Sequence, residues 1–100
     1  MKKDTILEIF GYLKSKGITA NESEFSEHWL GCSEGYMRKL RSAQAEPSMG
    51  AVAICGSRLQ QAAETIMASP RHQHVAQQFL DLSAKCHQLV NEDAVELELT

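Results

Sequence analysis

Proline and glycine are scarce in this 100-residue chain, at two and six residues, which leaves little room for a long structureless linker. Cysteine is scarce too. Cys32, Cys55 and Cys86 are far apart, odd in number and without a CxxC pair, which argues against a disulfide framework or a structural zinc site. No apolar run approaches the roughly 18 residues of a membrane span. The opening MKKDTILEIF is broken by Asp4 and Glu8 and does not read as a signal peptide. A cytoplasmic location with reduced thiols is therefore expected. GxSxG, HExxH, P-loop and dinucleotide fingerprints are all absent, so neither catalysis nor a cofactor is expected.

What is present is an ordinary globular balance, 43% hydrophobic and 23% charged, at a length suited to one domain. The net charge of −3 is unevenly placed. Glu92, Asp93, Glu96 and Glu98 crowd the last ten residues, and the rest of the chain holds ten bases against nine acids. Bulk polyanion binding is not written into the composition, but a local basic surface is possible.

The apolar spacing predicts an all-α fold of five helices. Ile6, Ile9, Phe10 and Leu13 mark a first helix over about 4–16, closed by Gly17. Asn21 with Glu24 reads as a capping box for a short second helix through Phe25, Trp29 and Leu30, ended by Gly31. Ser33 is the expected cap of a third helix with Met37 and Leu40 inward. Ser48 caps a long fourth helix through Val52, Cys55 and Leu59, where Gly56 allows close packing. Ser69 and Pro70 open a fifth helix to about Asn91. The end, AVELELT, alternates with period two and reads as strand-like, and its acids suggest a tail that folds back over the basic helix.

The informative stretch is WLGCSEGYMRKLRSAQAEPS, residues 29–48. A turn between two helices wants a residue that tolerates positive φ, here Gly31. The second of the two helices wants a cap and an apolar residue facing back, here Ser33 and Met37, six after the glycine. Glu34, Gly35, Tyr36, Arg38, Lys39 and Arg41 are then outward or lateral.

The stretch FSEHWLGCSEGYMRKLRSAQAEPSMGAVAICGSRL resembles the lambda-repressor-like (Cro-type) helix-turn-helix. Those domains run helix, glycine, short turn, Ser or Thr, recognition helix, Pro-Ser loop, then a helix of spaced apolar residues ending in leucine. Pro47, Ser48, Val52, Cys55 and Leu59 match the last part. The phrasing FSxxWLGxSxxYMxxLR is also similar to small bacterial proteins with such a domain. Where these domains carry a small residue four before the glycine, this chain has Glu27. Ser26 serves instead if the second helix is shifted by one residue.

The resemblance implies a transcriptional regulator that occupies double-stranded DNA. Glu34, Gly35 and Tyr36 would lie nearest base edges, Arg38 at a guanine or a phosphate, Lys39 and Arg41 at phosphates, and Ser33 at a phosphate by the helix N-terminus. Residues 1–68 would form the helix-turn-helix domain, 69–91 a helix packed on it or on a partner chain, and 92–100 an acidic tail. Val75, Phe79, Leu82, Cys86 and Leu89 form a short heptad seam, which suggests a homodimer interface. The alternative is an interaction or dimerisation module on the same fold without DNA binding, which the net charge, Glu34 and the acidic tail favour. Trp29 and Phe25 read as core, and Cys32 as filler in the turn, although a position beside a helix cap could lower its pKa. His72 and His74, two apart on a helix, point in nearly opposite directions and make no metal pair.

Overall fold

The computed structural model describes residues 2–43 and 45–99, with side chains as far as Glu92. The chain is all-α. Five helices follow in order: α1 Lys2–Ser15, α2 Glu22–His28, α3 Tyr36–Ala43, α4 Met49–Ile66 and α5 Gln73–Leu99. A short 3-10 turn, Pro70–His72, joins α4 to α5.

Local chemistry sets most of the boundaries. Gly17, at φ 71°, ends α1. The Ile18 N–H returns to the Leu13 carbonyl at 2.9 Å and the Gly17 N–H to Lys14 at 3.0 Å, which satisfies carbonyls the helix leaves open. The Asn21 side chain accepts from the Glu24 N–H at 2.9 Å and starts α2. Ser48 does the same for α4, accepting from Ala51 at 3.1 Å.

Three boundaries differ from the sequence reading. Ser33 is not the cap of α3, which starts at Tyr36; the Ser33 carbonyl instead closes a turn to the Tyr36 N–H at 3.0 Å. Ser69 makes no side-chain cap bond, because the chain enters α5 through the tighter 3-10 turn. The strand expected at the end is not formed. The α5 backbone stays helical to Leu99, where a lone strand would have lacked an edge to pair with. A continuous helix also has no turn by which the tail folds back on α3. The side chains of Asp93, Glu96 and Glu98, and Thr100 as a whole, lie outside the described residues.

The core is one cluster. Ile6, Ile9 and Leu13 of α1, Phe25 of α2, Met37 and Leu40 of α3, Val52, Cys55, Leu59 and Ala63 of α4, and Ala76, Phe79, Leu82 and Cys86 of α5 are all buried in it. The α4–α5 pair is its largest contact, an antiparallel hairpin. Gly56 sits at a close contact of the two helices: a Cβ there would stand 2.9 Å from the Cys86 Cβ. The missing methyl also lets the buried Ser83 hydroxyl donate to the Gly56 carbonyl at 2.6 Å.

Phe79 joins the hairpin to the other helices. Its ring meets Tyr12 of α1 edge-on at 5.9 Å and Trp29, at the end of α2, edge-on at 6.3 Å. The seam assigned to a dimer therefore needs correcting at three positions. Phe79, Leu82 and Cys86 are covered within the single chain and leave no surface for a second copy. Val75 and Leu89 are half-buried against the same core. Of the two packings considered for residues 69–91, the helix takes the one on its own chain. Among the described residues, no helix is long and apolar enough to cross a membrane.

Candidate functional site

The basic surface is built on α2, the turn after it, and α3. Gly31 holds φ 65° in that turn. A Cβ at Gly31 would also come within 3.2 Å of the Ile54 side chain, so a side chain is disfavoured by conformation first and crowded by Ile54 second. The Cys32 N–H returns to the Ser26 carbonyl at 2.9 Å and fixes the exit from α2.

Ser26 is the hinge of the unit. It is fully buried, and its hydroxyl donates to the Glu22 carbonyl at 2.8 Å. The same oxygen accepts from the Met37 N–H of α3 at 3.2 Å. Serine therefore allows the two helices to touch, and it also caps α3 from α2, the role the sequence suggested for Ser33. Glu27, the residue four before the glycine, is exposed. Met37 and Leu40 are buried, as the spacing of α3 requires.

The sequence reasoning missed Arg58, the only base on α4. Its guanidinium donates to the Glu27 carbonyl at 3.1 Å and to the His28 carbonyl. A cation there satisfies the open carbonyls at the end of α2 and complements the negative end of its dipole. A single arginine among the apolar residues of α4 up to Leu59 was the available signal. Arg58 also faces Cys32. Burial pushes the Cys32 thiol up, and Arg58 offsets this in part. The lowered pKa considered for Cys32 is thus reversed: burial outweighs Arg58, and α3 begins four residues later.

The seven residues expected to face DNA separate into three groups. Ser33, Glu34 and Gly35 precede α3, in the turn, with Ser33 and Glu34 exposed. Tyr36 and Arg41 have partners within the chain. The Tyr36 hydroxyl accepts from the Ser48 N–H at 3.0 Å and pins the loop to α4, and Arg41 pairs with Glu22 at 2.6 Å across to the first turn of α2. Arg38 and Lys39 remain exposed on the outer face of α3. Arg38, Arg41 and Ser42 line a shallow open hollow on that face. Glu22 and Glu24, also in the first turn of α2, set acids beside this basic surface.

A second hollow, of about 310 Å³, lies between α1 and α5 and is lined by Glu8, Tyr12, Gln78, Asp81, Leu82 and Lys85. Lys85 bridges both oxygens of Glu8 at 3.1 Å across its rim. The Tyr12 hydroxyl beside it is buried without a partner among the described groups, and burial pushes its phenol up. No group of three His, Cys, Asp or Glu side chains that could hold a metal converges among the described residues.

Fold and surface together define an all-α protein whose second and third helices, joined through a positive-φ glycine, carry an exposed basic pair. The chain belongs to a family of unknown function, DUF6626, whose model matches residues 6–99. No curated protein and no solved structure matches the chain.

Proposed function

We propose that the chain is a small, non-enzymatic DNA-binding regulator that docks α3 on the duplex. The observation that carries this reading is the free basic pair Arg38–Lys39, on a helix whose opposite face is locked by Met37, Leu40 and the Ser26 hydroxyl. Rigid support matters because a phosphate or base contact requires a side chain held at a fixed place relative to the groove. Arg38 offers the fork that suits guanine or phosphate, and Lys39 a point charge for phosphate. Glu34, exposed in the turn before α3, suits a cytosine amino group. Tyr36 and Arg41, already partnered, support α3 in this reading.

A second reading, an interaction module on the same fold, is favoured by the Arg41–Glu22 pair and by Glu24, which reduce the positive field around α3. Pairing of two copies through α5 would rest on Val75 and Leu89, with Leu80 and Val90 beside them. Sedimentation at two concentrations distinguishes one copy from two.

Fluorescence anisotropy of labelled duplex DNA over a salt series separates the readings. DNA docking predicts affinity that falls steeply with salt. Arg38→Ala with Lys39→Ala should abolish most of it and flatten the log–log slope by about 2, with helical content unchanged. Absence of binding at low salt would sink the DNA reading and leave the interaction module.

A further inference from the structure

Cys55 of α4 and Cys86 of α5 lie in the same buried core where the two helices pack closely, and their side chains interact. Both residues are fully buried. Gly56, next to Cys55, brings the α4 backbone so near that a Cβ on it would lie 2.9 Å from the Cys86 Cβ. The Ser83 hydroxyl, one turn before Cys86, donates to the Gly56 carbonyl at 2.6 Å and holds the two helices together beside the cysteines. Cys32, the third cysteine, is half-exposed on the turn before α3 and hydrogen-bonds the Leu30 carbonyl at 3.4 Å.

We propose that Cys55 and Cys86 are a modification site: a reversible dithiol that a peroxide oxidises to a disulfide, tying α4 to α5 through the core. The two sulfurs are unequal. A hydrogen bond from the Cys55 thiol lowers the pKa of Cys86, while that same bond and then burial push Cys55 up. Cys86 is therefore the attacking sulfur and Cys55 the resolving one.

In the first step the Cys86 thiolate attacks one peroxide oxygen. An S–O bond forms, the O–O bond breaks, and hydroxide leaves and takes up a proton as water. In the second step the Cys55 sulfur attacks the sulfenic sulfur. The S–S bond forms, the S–O bond breaks, and the Cys55 proton leaves with the hydroxide as a second water. Two thiols and one hydrogen peroxide give one disulfide and two waters, and the two sulfurs supply the two electrons. A small dithiol reverses it by exchange. Both sulfurs are sealed from solvent, so the oxidant enters when the hairpin opens locally, and the rate follows that opening.

The test uses the full chain, reduced and folded. Hydrogen peroxide is added under native conditions and removed, the chain is unfolded with N-ethylmaleimide, and its intact mass and peptide map are read. The expected product is a single chain with one maleimide, on Cys32, and a linked pair of peptides containing Cys55 and Cys86. Dithiothreitol restores three labelled thiols. Cys32→Ser leaves the cross-link in place. The oxidised chain should also melt several degrees higher, because the bond closes a loop of about 30 residues in the unfolded state.

Three labelled thiols after peroxide would overturn the proposal. So would sulfinic acid on Cys86 without a cross-link, a bridge that joins two chains through Cys32, or an oxidised chain that melts lower than the reduced one. The peptide map needs no cysteine variant at position 55 or 86, so a failure of such a variant to fold does not affect the result.

Discussion

Two helix pairs in this molecule are held together by opposite means. The α4–α5 hairpin closes on shape: a glycine with no room for a methyl, a serine on its carbonyl, two buried thiols and the ring of Phe79. The α2–α3 pair closes on polar groups. Ser26 bonds both helices, Gly31 sets the turn, and Arg58 of α4 holds the end of α2. The hairpin buries the facing sides of its two helices, Val52, Cys55, Leu59 and Ala63 against Ala76, Phe79, Leu82 and Cys86. The short pair buries one side of each helix and leaves Arg38 and Lys39 outward.

The largest expected effect comes from the residue that couples the two regions. Phe79→Ala removes a buried ring set between Tyr12 and Trp29, and should cost about 3–5 kcal/mol in chemical denaturation. A loss near 1 kcal/mol would mean that the hairpin and the short pair are stable independently of each other.

Gly56→Ala comes next and tests whether the hairpin closes on shape. Helix propensity alone predicts a gain of up to ~1 kcal/mol. The 2.9 Å approach to the Cys86 Cβ predicts a net loss of about 1–3 kcal/mol instead, since rigid neighbours on a second helix must move apart. An increase in the unfolding midpoint would show that the helices separate easily and that the contact is looser than described.

Ser26→Ala is the smallest of the three and tests whether the short pair closes on polar groups. It keeps the small volume but leaves the Met37 N–H without its acceptor, at an expected cost of about 1–2 kcal/mol. Hydrogen exchange should rise first at the start of α3 and not in α4. Uniform loss of protection would mean that α3 has no local stability of its own.

The helices were legible because their signals are local. Apolar spacing, Asn21, Ser48 and Gly17 each act within a turn or two, and the structure places each as read. The misplaced features involve partners distant in sequence. Ser33 looked like a cap because serine before a helix usually is one, yet Ser26, from the preceding helix, bonds the Met37 N–H. Tyr36 and Arg41 looked free because nothing nearby in sequence pairs with them, yet Ser48 and Glu22 do. The seam on α5 was a correct reading of an apolar face, but periodicity does not say which chain covers it. The end of α5 alternates like a strand, and helix continuation prevailed where no edge strand stood ready to receive it.

The sequence by itself determined an all-α chain, the positions of its helices, the apolar faces and the turn glycines, since these follow from spacing and from the conformations that single residues allow. Only the tertiary structure decided which basic residues stay free, which hydroxyl caps α3, and that Cys55 and Cys86 meet. Those depend on what lies opposite each side chain in space, and residues 31 apart in sequence, or a serine eleven before the N–H it caps, become neighbours only when the helices pack.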